Sequence, residues 1–207
     1  MSRQGELFEA AALAASAAPP AAGLPLLRHQ LQAWQQRLAD HQGPLFAQVA
    51  GRLDAAAARQ GQLFALPGDE ALPESLATSL DPLRLQPQSL SFWRWPEAPQ
   101  RGAAIYLVLD RPPRLPSALL LYVGETARAD RRWKGDHDCK DYLAAYGEAL
   151  GQAGLEAALS IRFWCDVPAG TRARRALEQA LIRFWWPPFN KETRARWQTP
   201  FTAATDP

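Results

Sequence analysis

Apolar residues in the first third of the chain recur at helical spacing. They return every three or four positions over residues 26–38 and again over residues 45–63, which is typical of amphipathic helices. Gly43-Pro44 lies between the two stretches, and a proline inside a helix removes a backbone hydrogen bond. The pattern therefore predicts a helical hairpin, and we assign residues 1–66 to a helical N-terminal region.

Prolines dominate the next stretch, at positions 67, 73, 82, 87, 96 and 99. This spacing leaves no room for a helix of normal length, so residues 67–100 are predicted to form a connector. The aromatic segment 92–95, Phe-Trp-Arg-Trp, would be costly to leave in water. We expect it to dock on a folded domain.

From residue 103 the pattern becomes extended. Residues 104–110 and 119–123 are short apolar runs separated by a proline-rich loop, which predicts a β-hairpin. An amphipathic helix over 139–151 and a third strand over 155–167 are expected next.

A further helix is predicted over residues 171–185, because its apolar stripe stops just before Pro187-Pro188. The expected order is β-β-α-β-α. It indicates a small α+β domain over residues 101–197, with a central three-stranded mixed sheet flanked by helices, and a tail over 198–207.

Composition narrows the class of protein. Of 207 residues, 47% are hydrophobic and 21% are charged, which excludes a fully disordered chain. No apolar run approaches the ~20 residues needed to cross a bilayer, and acidic Glu6 and Glu9 stand where a signal peptide has basic residues. We expect a cytoplasmic protein with no membrane partner.

The net charge of +2 is unevenly distributed. Residues 1–100 hold 7 Arg and no Lys against 9 acidic residues, whereas residues 101–197 hold 16 Lys and Arg against 11 acidic residues. The basic half is therefore the candidate for binding a polyanion. Two cysteines are too few for a disulfide framework.

An ordered set of residues in this basic half carries the candidate chemistry: Ala104-Ile-Tyr106, Tyr122-Val-Gly124, Arg132, Glu178 and Asn190. Their order resembles the GIY-YIG nuclease family over residues 101–197, with each triplet at a predicted strand. The chain departs from the family pattern in three ways. Its two tyrosines are 16 residues apart, longer than in the shortest members, and the excess falls in the proline loop. Ala104 replaces the first glycine, and Asp136, followed by His137, stands where some members have a histidine.

The resemblance implies a metal-dependent DNA endonuclease acting in repair, restriction or mobile-element biology. Glu178 would be the protein ligand of one Mg²⁺ or Mn²⁺, which a single carboxylate can hold when water and substrate oxygens complete the shell. Arg132 would bind the phosphate. Tyr106 would activate the attacking water and Tyr122 would orient it, with a phenol pKa lowered by the metal and the arginine.

Two further groups of residues are predicted at the site. His137 is a catalytic candidate, with an exposed loop histidine as the alternative. Substrate contacts, mostly to backbone phosphates, are expected from Gly124, Arg128, Arg131, Lys134, Arg174, Arg175 and Asn190.

Simpler interpretations of the same residues stay open. The tyrosines could be packing residues, Glu178 could pair with Arg174 or Arg175 along one helix, and Asn190 could serve only as a cap or a turn. The chain would then be a non-catalytic nucleic-acid-binding module, or a structural protein.

One signal lies outside the predicted domain. Residues 4–8 and 60–64 both read Gln-Gly-x-Leu-Phe and resemble the peptides with which bacterial repair proteins dock on the sliding clamp. Such a peptide must be exposed, which favours Gln4–Phe8 at the chain end. A sliding clamp is therefore a possible partner besides DNA.

Overall fold

A computed structural model describes residues 27–58, 73–91, 100–131 and 138–198. In these ranges the helices are α1 (Arg28–Ala58), α2 (Pro73–Ser79), a 3-10 turn (Pro82–Arg84), α3 (Asp138–Gln152), α4 (Thr171–Trp185) and α5 (Lys191–Trp197). The strands are β1 (Ala104–Asp110), β2 (Leu119–Thr126) and β3 (Ser160–Trp164). The protein is therefore a mixed α+β structure, and the predicted order β-β-α-β-α is confirmed from residue 104 onward.

The three strands form one antiparallel sheet. Its order is β2-β1-β3, and β1 pairs antiparallel with both neighbours. The prediction of a mixed sheet is wrong for a topological reason. Strands β2 and β3, joined through α3, do run in the same direction, but β1 lies between them and they form no parallel pair.

Helix α1 continues through Pro44, so the prediction of a helical hairpin is also wrong. Leu38 and Ala39 before the proline and Phe46 and Val49 after it are all buried. A proline inside a helix costs about 3 kcal/mol, which the burial of several apolar side chains offsets.

The sheet has a hydrophobic core on each face, and α1 contributes to both. Leu31, Trp34 and Leu38 pack with α3 on one face, whereas Phe46 and Val49 pack with α4 on the other. The N-terminal helix and residues 101–197 therefore share their cores, although the sequence pattern treats them as separate regions.

The described part of the predicted connector is bonded to β3. Buried Arg162 donates from Nη1 to the carbonyl oxygens of Leu83 and Leu85, at 2.8 and 2.6 Å, and Gln88 forms an isolated bridge with Ile161. The aromatic segment 92–95 lies outside the described residues. Among the helices that the structure describes, none is both long and apolar enough to span a membrane.

Candidate active site

The two tyrosines of the motif lie side by side on neighbouring strands. Tyr106 on β1 stands opposite Gly124, and Tyr122 on β2 stands opposite Val108. Their ring centroids are 5.9 Å apart with an interplanar angle of 24°, and a side-chain hydrogen bond joins the two phenols. The structure thus brings together two residues that the sequence separates by a hairpin loop.

Gly124 makes this arrangement possible. Tyr106 is fully buried and its ring lies across β2, so a Cβ at position 124 would overlap the phenol carbon Cζ and oxygen Oη of Tyr106. Only glycine permits this close approach. Gly124 is itself buried. The structure therefore gives it a packing role, in which it leaves space for Tyr106, whereas the sequence predicts a substrate contact.

Tyr122 differs from the expectation in its acidity. Burial raises the pKa of Tyr122 well above the usual value for a phenol, and the neighbouring Tyr106, Cys139 and Glu178 act in the same direction. The surroundings that the structure describes therefore shift this pKa opposite to the direction expected from the sequence. They keep the phenol neutral, a form that can both donate and accept a hydrogen bond.

Glu178 is anchored to the strand that carries Tyr122. Its Oε1 accepts a hydrogen bond from the backbone N–H of Glu125, near the end of β2, at 3.0 Å. Burial raises the pKa of Glu178 to about 7, and the charges of Glu125 and Glu192 also raise it, while the Glu125 N–H and Arg175 lower it. The carboxylate of Glu178 is thus half-buried among other negative charges.

Glu125 is a second carboxylate at the site, which the sequence analysis missed. Its two oxygens form ion pairs with Arg174 Nε at 2.8 Å and Arg175 Nε at 3.4 Å. Both arginines therefore form their ion pairs with Glu125, while the charge of Arg175 also acts on Glu178 and lowers its pKa. The only signal in the sequence was a glutamate directly after Tyr-Val-Gly.

Arg174 is a structural residue. It is 1% exposed, and besides Glu125 it donates to the carbonyl oxygens of Pro168 and Ala169, at 3.2 and 2.9 Å. The prediction that Arg174 contacts DNA is wrong, because its guanidinium is buried and engaged with the protein.

Other predicted phosphate contacts are exposed. Arg128, Arg131 and Arg175 lie on the surface, and Arg131, at 67% exposure, approaches Asp130 at 3.8 Å. Arg132, Lys134 and His137 fall outside the described residues, as do the clamp-like segments 4–8 and 60–64.

Asn190 holds β2 from its outer edge. It is 4% exposed, its Oδ1 accepts from the N–H of Val123 at 3.0 Å, and its Nδ2 donates to the carbonyl oxygen of Val123 at 2.8 Å. A substrate contact through this amide would have to break one of these bonds. The geometry makes Asn190 a positioning residue for β2. This role differs both from a simple cap and from the substrate contact predicted from the sequence.

The donor set at Glu178 suits one hard divalent cation. Glu178 Oε1 holds the Glu125 amide, and no hydrogen bond to Oε2 is formed by the residues that the structure describes. A cation beside Glu178 and Glu125 would also relieve the repulsion that helps raise the pKa of Glu178. No group of three or more His, Cys, Asp or Glu side chains that could hold a metal occurs in the described ranges, and a Mg²⁺ bound largely by water and substrate does not need one.

Comparison with protein-family models, with curated proteins and with solved structures found no match for this chain.

Proposed function

We propose that the chain is a metal-dependent DNA endonuclease of the GIY-YIG type, with that family's fold over residues 101–197. The observation that carries the proposal is the meeting of Tyr106, Tyr122 and Glu178 around the end of β2, in the chain order of the motif. A half-buried carboxylate bonded to the strand of Tyr122 is the feature that a pair of packing tyrosines alone would not explain.

Glu178 is the proposed protein ligand of one Mg²⁺ or Mn²⁺. The cation would supply charge neutralisation at the scissile phosphate. Glu125 and Arg174 would support this ligand, because their ion pair of 2.8 Å lies beside the N–H that Glu178 accepts. Arg132 is proposed to bind the phosphate with its permanently charged guanidinium.

The two phenols would activate and orient the attacking water. Tyr106, whose hydroxyl lies against Gly124, is proposed to act as a phenolate: it would first release its own proton to solvent and then accept the proton of the attacking water. Tyr122 would stay neutral and orient that water through a hydrogen bond, which agrees with its raised pKa. The exposed Arg128, Arg131 and Arg175 would contact backbone phosphates without reading sequence.

The direct test uses the full chain with supercoiled plasmid and with branched duplex DNA, in Mg²⁺, in Mn²⁺ and in EDTA. We expect cleavage with either metal and none in EDTA. DNA binding without cleavage under all conditions would replace the proposal with a non-catalytic binding module. If the chain neither binds nor cleaves either DNA, nucleic acid is excluded as its partner.

A further inference from the structure

Strand β2 contains one residue that has no partner on β1. Val123 pairs with Leu107 and Tyr122 pairs with Val108, but the next residue of β1, Leu109, pairs with Leu120. Leu121 is therefore the extra residue of a β-bulge. Bulges redirect the side chains that follow them and are frequent beside active sites.

The bulge determines which face of the sheet Tyr122 occupies. Leu119 and Leu121 pack into the core on the face of Tyr106, whereas Leu120 packs into the core on the opposite face. Regular alternation would then place Tyr122 on the face opposite Tyr106. Because of the bulge, Tyr122 instead packs on the same face as Tyr106 and Leu121.

Gln42 of helix α1 holds the strand just before this bulge. Its side chain is 0% exposed. Oε1 accepts from the N–H of Leu120 at 2.8 Å, and Nε2 donates to the carbonyl oxygen of Leu120 at 3.0 Å. Asn190 makes the equivalent pair of bonds with Val123, so two amide side chains flank the bulge.

The same Gln42 amide also contacts the helix that carries Glu178. Nε2 donates to the carbonyl oxygen of Trp185, the last residue of α4, at 3.0 Å. Carbonyl groups in the last turn of a helix have no partner within the helix. One side chain thus links the strand of Tyr122 and the helix of Glu178 to α1.

Among the strands that the structure describes, only β1 pairs with β2, so no strand on the outer edge of β2 helps to hold the register there. A slip of one residue would move every following side chain to the other face. The Gln42 amide takes the place of a neighbouring strand, since it satisfies both the N–H and the C=O of Leu120.

We propose that Gln42 is a positioning residue of the active site, which keeps the bulge at Leu121 and so keeps Tyr122 beside Tyr106. This inference rests on the proposed nuclease function for its effect on cleavage. It also makes helix α1 part of the catalytic unit, because residues 101–197 alone lack the side chain that bonds Leu120.

The test compares Gln42→Met, which keeps the length of the side chain but removes its hydrogen bonds, with Gln36→Met, an exposed position on the same helix. Single-turnover cleavage is measured well below the unfolding temperature. Contacts between the rings of Tyr106 and Tyr122 are followed by NMR. For Gln42→Met we expect a loss of at least tenfold in rate at saturating DNA, less than twofold change in DNA affinity, and weakened ring contacts. Gln36→Met should match the wild type in all three.

A folded Gln42→Met with the wild-type rate and unchanged ring contacts would overturn the inference, leaving Gln42 only a stabilising role. Gln42→Glu is expected to be protonated, because an ionised carboxylate would be buried against the carbonyl oxygens of Leu120 and Trp185. It then keeps the acceptor for Leu120 N–H and one of the two donated bonds, so it should fall between the wild type and Gln42→Met. It replaces Gln42→Met under the same criteria if that variant does not fold. If the wild type itself cleaves no DNA, the proposed function fails, while the ring contacts still decide the role of Gln42.

Discussion

The absence of a single carbon atom at position 124 allows the phenol of Tyr106 to lie across β2. For Gly124→Ala we therefore expect a displaced Tyr106, a loss of about 1 to 3 kcal/mol in the free energy of unfolding, as overpacked cores show, and strongly reduced cleavage. Urea unfolding and single-turnover cleavage measure the two effects.

The matched control is Gly147→Ala in helix α3, where nothing lies within 4 Å of the added Cβ. Alanine is favoured over glycine in a helix by roughly 0.5 to 1 kcal/mol, so this variant should be as stable as the wild type or more stable, with unchanged cleavage. Equal behaviour of the two alanine variants would show that Tyr106 does not depend on the space over Gly124.

His41 gives the fold a specific pH dependence. Its ring stacks on Trp186, with centroids 4.6 Å apart, and also contacts Trp197. Burial lowers the pKa of His41 below its usual 6.5, and the charge of Arg196 lowers it further. The unfolded chain therefore binds a proton more readily at this position than the folded protein does.

Stability from this group is fully present above pH 6.5 and is lost as the pH falls below that value. We expect His41→Phe to reduce the loss of unfolding free energy between pH 7.5 and 5.5, whereas His29→Phe, at an exposed position on the same helix, should leave that loss unchanged. Urea unfolding at the two pH values measures it. The same pH dependence in both variants would contradict this role.

At the scale of elements, the sequence predicted the helices and strands whose apolar pattern and boundary residues agree. The α4 helix was predicted over residues 171–185, the range observed, because an apolar stripe ends before two prolines. Strand β3 was predicted as 155–167 but spans Ser160–Trp164, since an apolar run does not show where pairing with β1 stops. The prediction that Pro44 breaks α1 was wrong, because the helix is held on both sides of the proline by buried side chains. That burial depends on tertiary contacts, which the local sequence does not show.

The candidate site was predictable only as far as the motif reached. Tyr106, Tyr122 and Glu178 were found from their order in the chain. Glu125 and Gln42 were not found, because each acts through partners that are distant in sequence, and neither a lone carboxylate nor a lone amide has a periodic signature. The antiparallel sheet was missed because the order of the strands does not state which of them is central.

At the scale of the whole molecule, the charge asymmetry of the sequence gives a prediction about binding. If Arg128, Arg131 and Arg175, which are exposed, contact phosphates, affinity for duplex DNA should fall linearly with salt on a log-log plot. Replacing one of them by glutamine should reduce the magnitude of the slope by about one. Arg84→Gln serves as the control, since Arg84 lies in the 3-10 turn beside Asp81. An affinity that does not change with salt, which is a slope of zero, would exclude phosphate contacts.

The central claim is that Glu178 is the metal-binding carboxylate of a phosphodiester hydrolase, and one comparison tests it most directly. Glu178→Gln and Glu148→Gln, an exposed glutamate of α3, are assayed for single-turnover DNA cleavage in Mg²⁺ and for DNA binding. Removal of the metal ligand should cost several kcal/mol of transition-state stabilisation. We expect Glu178→Gln to lose at least 10³-fold in rate with nearly unchanged DNA binding, and Glu148→Gln to retain the wild-type rate. Cleavage by Glu178→Gln at the wild-type rate would contradict the account.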